Sequence, residues 1–231
     1  YQVAQALAAE GKNAEAAKLF EYLHGIYCRK KGETHLDTLA LASSWALSLH
    51  FLQRHEEAAE LQEITLFSLR DKVGNSHTRC VTESNNLALS LTAPGRHEEA
   101  VPLLRMTVTA RERDGTQTLE WITAANNLAG SLSQVGELAE STEVFEKAIA
   151  CSCRVLGEQH PLSLKAQTNL AVVLQRLGRV TDAKNVQAKV VSLMEQRFGR
   201  NAQTSKAAEF LHMLEKASSA RQKRKSASPQ T

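Results

Sequence analysis

Aromatic residues, glycine and proline are all scarce in this sequence, and each shortage narrows the fold. Aromatic residues make up only 5% of the 231 residues although 42% are hydrophobic, so alanine and leucine supply most of the apolar side chains. This composition favours close helix-on-helix packing over a β-sandwich, which draws on β-branched and aromatic residues. With 11 glycines and 4 prolines, few positions interrupt a helical pattern. The sequence therefore predicts an all-α fold.

Long apolar segments and secretory signals are missing as well. No window approaches the ~18 consecutive apolar residues of a membrane-spanning helix, and no charged-then-apolar leader is present. We therefore expect no membrane partner. Because the sequence begins at Tyr1 inside a helical pattern, we also expect it to be part of a longer chain.

The four cysteines, Cys28, Cys80, Cys151 and Cys153, form no CxxC pair and no spacing typical of a disulfide framework. Free cysteines indicate a reducing compartment, so we expect a cytoplasmic location. On a helix, Cys151 and Cys153 would point about 200° apart. This geometry argues against a metal ion shared between them.

Positive charge is concentrated at one end of the sequence. Residues 221–231 contain four basic residues and no acidic one, which leaves 24 bases against 25 acids in residues 1–220. A nucleic-acid-binding body needs a basic stripe, so we expect no nucleic-acid partner. We predict that the polar tail is disordered. Its basic run and Ser228-Pro229 fit a nuclear import signal or a phosphorylation-controlled patch, but more often such a tail is only a solubilising terminus.

Catalytic and metal-binding patterns are absent too. The stretches that begin at His55 and His97 start like the zinc motif HExxH, but Ala59 and Val101 stand where the second histidine must be. We interpret both as helix starts. The sequence contains no Ser/His/Asp set and no phosphate-binding glycine loop, so we expect no enzyme, no cofactor and no metal.

The sequence does contain an internal repeat with a period of 41 or 42 residues. Residues 85–88 and 126–129 both read Asn-Asn-Leu-Ala, and the spacing continues beyond them. A fixed period of this length is the signature of a repeat architecture. Four sets of residues keep the period: Ala16, Ala58, Ala100, Ser141 and Ala183; Ala4, Ala46, Ala88, Ala129 and Ala171; Leu7, Leu49, Leu91, Leu132 and Leu174; and the loop glycines Gly32, Gly74, Gly115, Gly157 and Gly199.

Each period holds two predicted helices, here called A and B. In the third full repeat, apolar spacing predicts helix A over 120–134 and helix B over 138–156. Gly136 between them suits a left-handed helix cap. Ala129 and Ser141 are expected to face each other across the hairpin, where larger side chains would push the backbones apart. A single hairpin cannot bury its apolar face, so the hairpins must stack.

These periods divide the sequence into domains. Residues 204–219 look like a final helix that covers the open end of the stack, which a solenoid needs. The predicted boundaries are a truncated repeat at 1–35, full repeats at 36–77, 78–118, 119–160 and 161–202, a capping helix at 203–220 and the disordered basic tail at 221–231.

Three features of residues 1–219 resemble a tetratricopeptide repeat (TPR) array of the 42-residue, kinesin light chain-like type. They are the Asn-Asn-Leu-Ala motifs at 85–88 and 126–129, Gly-Arg-His-Glu-Glu-Ala at 95–100, and Leu-Gly-Glu-Gln-His-Pro at 156–161. The resemblance implies a right-handed α-α superhelix, a TPR solenoid, of about five helical hairpins plus a capping helix. It also implies a non-catalytic protein–protein interaction scaffold for cargo or a cargo adaptor, associated with the cytoskeleton. A motor heavy chain would contact regions outside this sequence.

In this family, helix A lines a concave groove that holds an extended peptide. The family positions fall on polar and apolar residues of the four full repeats. These are Ser43, Ser44, Leu47 and His50; Thr82, Asn85, Asn86 and Leu89; Thr123, Asn126, Asn127 and Ser133; and Lys165, Thr168, Asn169, Gln175 and Arg176.

Asparagines dominate this implied groove. Because an amide both donates and accepts hydrogen bonds, Asn86, Asn127 and Asn169 could hold a peptide backbone. Lys165 and Arg176 would add a preference for acidic residues, and Leu47, Leu89 and Val172 would offer apolar pockets. Two alternatives remain open: each asparagine could instead bond to a neighbouring helix, and both cations could simply be solvated.

A second function also stays open at this point. The array could be a regulatory TPR sensor domain of a larger signalling protein, which binds a partner and restrains another domain. A coiled coil before Tyr1 would favour the motor-adaptor function, whereas a nucleotide-binding or catalytic module in the parent protein would favour the regulatory one.

Overall fold

The computed structural model describes residues 1–113 and 118–227, with side chains described as far as residue 219. In this part of the chain there are eleven helices and no strand. The helices form two compact units, Tyr1–Thr116 and Gln117–Thr231, and within each unit every helix packs on the next one along the chain. The predicted all-α fold of stacked helical hairpins is confirmed.

The first unit contains three hairpins, and its helices of type A are α1, α3 and α5. The predicted intervals 1–35, 36–77 and 78–118 each contain one of these hairpins. The helices are α1 (Gln2–Ala9), α2 (Asn13–Lys31), α3 (Leu36–Phe51), α4 (His55–Val73), α5 (Thr78–Thr92) and α6 (His97–Arg113).

The second unit contains two hairpins and a final helix, and its helices of type A are α7 and α9. The predicted intervals 119–160 and 161–202 each contain one hairpin. The helices are α7 (Leu119–Val135), α8 (Leu138–Leu156), α9 (Pro161–Arg176), α10 (Val180–Phe198) and α11 (Ala202–Ala227).

The small residues of the repeat form the seams between helices A and B. In the third full repeat, Ala129 on α7 and Ser141 on α8 are both fully buried, and the Ser141 hydroxyl donates to the Ala129 carbonyl at 2.7 Å. Such a contact requires the two backbones to approach closely, which larger side chains would prevent. Every member of the two small-residue sets is fully buried: Ala4, Ala46, Ala88, Ala129 and Ala171, and Ala16, Ala58, Ala100, Ser141 and Ala183.

Histidines start three of the A helices. The ring Nδ1 atoms of His35, His77 and His160 accept the backbone N–H two residues further on, at 3.1–3.2 Å. Before α7, Thr118 takes this place and accepts from the Trp121 N–H at 3.5 Å. These side chains satisfy N–H groups that lack a partner inside the helix.

Glycine shapes the turns at both ends of helix A. Gly136 ends α7 in the left-handed conformation, at φ 91° and ψ 0°, as predicted. Gly32 and Gly157 end helices of type B at φ values of 93° and 92°, where a side chain would be strained. Gly115, which the sequence places in the same series, lies outside the described residues.

The last helix packs on α10 and covers the end of the second unit. Leu214 of α11 is fully buried, and Gln187 of α10 donates from Nε2 to the Ala207 carbonyl at 2.9 Å. The helix does not stop at residue 220 as expected but continues through residues 221–227. Arginine, lysine, glutamine and alanine in this stretch are all good helix formers. Residues 228–231 of the predicted tail lie outside the described residues.

The seam predicts a large effect of side-chain size at Ala129. We expect Ala129→Phe to lower the free energy of unfolding by about 1–3 kcal/mol, because the ring would force α7 and α8 apart. Urea unfolding followed by circular dichroism measures this change. Ala150→Phe, at an exposed position of α8, is the matched control and should cost only a few tenths of a kcal/mol. Equal effects of the two substitutions would show that the seam does not limit side-chain size.

Candidate functional site

In the first unit, helices α3 and α5 lie side by side and carry the predicted groove residues. Leu47 is 37% exposed and Thr82 is exposed, whereas Ser44, Asn86 and Leu89 are half-buried. Leu47 and Ser44 line a cavity of about 320 Å³ that also contacts α1 and α2. We call this face of α3 and α5 the first A-helix face.

Hydroxyl groups on this face bond mainly to their own helix. Ser43 and Ser44 donate to the carbonyls of Leu39 and Ala40 at 3.1 and 3.0 Å. The sequence also assigned His50 to the groove, and its Nδ1 lies 3.3 Å from the Ser90 hydroxyl on α5. Burial, followed by the nearby His55, lowers the pKa of His50. His50 therefore connects α3 to α5.

In the second unit, α7 and α9 contact each other and carry the corresponding residues. We call this face of α7 and α9 the second A-helix face. Thr123 and Thr168 donate to the carbonyls four residues earlier, Leu119 and Leu164, at 2.8 and 3.0 Å. Val172 is 38% exposed and provides an apolar side chain at the register of Leu47.

The asparagine amides lack hydrogen-bond partners in the described part of the chain. The Oδ1 atoms of Asn85 and Asn126 and the Nδ2 atom of Asn127 are buried and unpaired. Asn86 and Asn169 are half-buried, and neither bonds to a described residue. An unpaired buried amide group costs about 1–3 kcal/mol. The alternative in which these amides bond to neighbouring helices therefore receives no support from these contacts.

The two cations of the second A-helix face differ. Arg176 donates from Nη1 to the carbonyl and the hydroxyl of Ser133, at 2.6 and 2.8 Å, and so ties α9 to the last turn of α7. Ser133 is 95% buried under this contact. The prediction that Ser133 lines an open groove is therefore wrong, and Arg176, although exposed, is not merely solvated. Lys165 is exposed and forms no ion pair with a described residue.

Glu83 on α5 is a buried carboxyl group that the sequence analysis missed. Its side chain is 2% exposed, and Oε1 has no hydrogen-bond partner among the described residues. Burial raises the pKa of Glu83 to about 7, and the nearby Ser43 hydroxyl opposes this shift. The sequence could have revealed this residue, because the equivalent positions of the other full repeats are apolar. They are Leu41, Ala124 and Ala166.

Glu83 lies against a cavity of about 260 Å³ in the first unit. We call it the Glu83 pocket. Three helices line it: α3 contributes Leu36, Leu39, Ala40 and Ser43; α4 contributes Leu69; and α5 contributes Thr78, Arg79, Thr82, Glu83 and Asn86.

The described residues also bear on metal binding, disulfide formation and membrane insertion. No group of three or more His, Cys, Asp or Glu side chains there could hold a metal ion. All four cysteines are free thiols. Within these residues, no helix combines the length and the apolar character needed to cross a membrane.

The buried carboxyl predicts a specific dependence of stability on pH. The pKa of Glu83 is about 7 in the folded chain and about 4.5 without burial, so between these values only the folded state keeps the proton. Stability should fall as pH rises through this window, by about 3 kcal/mol relative to Glu83→Gln. Urea unfolding of both proteins across this range measures the difference. A difference that stays constant with pH would contradict the prediction.

The contrast between Arg176 and Lys165 predicts different contributions to stability. We expect Arg176→Met to lower the free energy of unfolding by about 1 kcal/mol, because it removes two hydrogen bonds to Ser133. Lys165→Met removes the same charge and keeps a similar stem, and it should change stability by less than about 0.5 kcal/mol. Thermal and urea unfolding of both variants provide the comparison. Equal losses would mean that net charge, and not the Ser133 contact, determines the effect.

Two family models of the tetratricopeptide repeat match the chain, over residues 122–196 and 84–113. Among curated protein sequences, none matches. Similar solved structures include the nearly identical TPR-like repeats of a candidate kinesin light chain from Podosopora anserina, which are 22% identical. That match covers 86% of this chain and 95% of the other, with a TM-score of 0.74.

Two further structures are more distant in sequence. BtubC (BKLC) from P. vanneervenii is 18% identical to this chain. The match covers 95% of this chain and 85% of BtubC, with a TM-score of 0.67. Bacillus thuringiensis PlcR, in complex with the peptide PapR7 and DNA, is 15% identical, with 91% and 71% covered and a TM-score of 0.59. Two stretches of the chain therefore match the tetratricopeptide repeat, and its fold is similar to that of solved arrays of TPR-like repeats.

Proposed function

We propose that this protein is a non-catalytic scaffold that binds an extended peptide segment of a partner protein on its A-helix faces. The TPR fold is typically that of a protein-interaction scaffold, which supports the general class. The partner is proposed to be cargo or a cargo adaptor, in keeping with the kinesin light chain-like fold. A cytoplasmic location follows from the same proposal.

The unpaired asparagine amides are the observation that carries the proposal. Asn85 and Asn126 each leave a buried carbonyl oxygen without a partner, and Asn127 leaves a buried amide nitrogen. An extended peptide has one donor and one acceptor on each residue, so it can satisfy both kinds of group once these side chains rotate toward it. Asn86 and Asn169 offer the same groups at half-buried positions.

Apolar and charged side chains beside the amides would add selectivity. Leu47 and Val172 are partly exposed on the two A-helix faces, so each can bury an apolar side chain of the peptide. Lys165 is exposed and can pair with an acidic residue, and the exposed Arg176 keeps Nε and Nη2 for the same role while its Nη1 bonds to Ser133. Peptide binding also has a structural parallel, since PlcR was solved with a bound peptide and has a similar fold.

The test starts with peptides selected from a random library on the wild-type protein. Replacing Asn86, Asn127 and Asn169 together by alanine should remove about three hydrogen bonds and raise Kd by roughly 100-fold. Fluorescence anisotropy with the selected peptides measures the affinities. Circular dichroism and thermal unfolding should hardly change, because these amides bond to no described residue.

Asn185→Ala is the matched control, because Asn185 is an exposed asparagine on α10, and its removal should leave Kd unchanged. Asn86→Ala alone and the pair Asn127→Ala with Asn169→Ala separate the contributions of the two units. Full binding by the triple variant would show that the partner uses another surface.

A further inference from the structure

We propose that the Glu83 pocket is a specificity site that takes the lysine side chain of a bound peptide. This inference rests on the proposed peptide-binding function and names the side chain that the first A-helix face selects. Three observations lead to it: the position of the carboxyl group in the repeat, the chemistry of the pocket walls, and the pairing of the surrounding charges.

Glu83 departs from the repeat at a position that is otherwise apolar. The equivalent residues, Leu41, Ala124 and Ala166, are buried and belong to the packing between helices. An unpaired carboxyl group destabilises such a site, whereas leucine or alanine would not. Packing therefore does not explain a glutamate at this position. A ligand that supplies hydrogen-bond donors would explain it.

The walls of the pocket match the two parts of a lysine side chain. Leu36, Leu39 and Leu69 provide apolar surface for the four methylene groups. Glu83, Thr82 and Asn86 provide oxygen atoms for the three N–H donors of the ammonium group. The pocket volume of about 260 Å³ is large enough for a lysine side chain.

Glu83 forms no ion pair with a described residue, although one cation, Arg79, lies in the pocket wall. On α3, Asp37 is already paired with Lys31 at 2.5 Å. Arg79 of α5 lines the pocket. Its positive charge contributes to lowering the pKa of Asp37. On α4, Arg70 lies near Cys80, where it lowers the thiol pKa against the larger effect of burial. None of these groups appears among the causes that shift the pKa of Glu83.

The pocket can be tested without any peptide, with n-butylammonium as a probe that carries the lysine stem and head. A probe with so few atoms should bind with millimolar affinity. In protein carrying isotope-labelled glutamate, nuclear magnetic resonance should show that the probe lowers the pKa of Glu83. Glu83→Gln should abolish binding, and butanol, which has the stem without the charge, should bind more weakly.

A second measurement uses peptides selected on the wild-type protein. Lysine should recur at one peptide position, and its replacement by norleucine should weaken binding at least tenfold, or about 1.4 kcal/mol. With Glu83→Leu the same replacement should change Kd by less than about twofold. Glu83→Leu restores the residue type of Leu41, so it should fold, and circular dichroism verifies that it does.

The two measurements separate the failure of this inference from the failure of the proposed function. Selected peptides without a lysine dependence, together with no response to n-butylammonium, would overturn the lysine site and leave peptide binding in place. If n-butylammonium binds at Glu83 but no peptide is selected, the pocket chemistry is supported and the peptide-binding function fails.

Discussion

Close approach of helices A and B at small residues is the constraint on which the rest of this fold depends. Ala129 and Ser141 illustrate it, since a hydroxyl group reaches the backbone carbonyl of the opposite helix at 2.7 Å. Because each hairpin buries only part of its apolar surface alone, hairpins must stack, and the same seam recurs every 41 or 42 residues. One face of each A helix is thereby committed to packing.

The remaining face of each A helix is free of that constraint, and its chemistry differs from that of the seam. Asn85, Asn126 and Asn127 carry buried polar atoms without partners in the described residues, although native proteins pair nearly all such groups. Arg176 and Ser133 show the opposite outcome on the same kind of helix, because they satisfy each other at the end of α7. Stability explains the Arg176 contact, whereas the proposed peptide would supply the hydrogen bonds that the amides lack.

Glu83 shows how a single position of a repeat can place a carboxyl group in an otherwise apolar register. A carboxyl group in a register of leucine and alanine cannot improve packing, and burial keeps its pKa near 7. Sequence variation at one register can thus introduce a polar pocket without disturbing the seams on either side.

The sequence by itself determined the all-α fold, the period and the hairpins, because helix packing repeats the same small residues at a fixed spacing. The resemblance to the TPR family assigned groove residues to the A helices, and that assignment stays a prediction. Only the tertiary structure decided that Ser133 is buried under Arg176, that helix α11 continues through residues 221–227, and that Glu83 borders a cavity. These outcomes depend on contacts between helices that are distant along the chain, and periodicity within one helix does not specify such contacts.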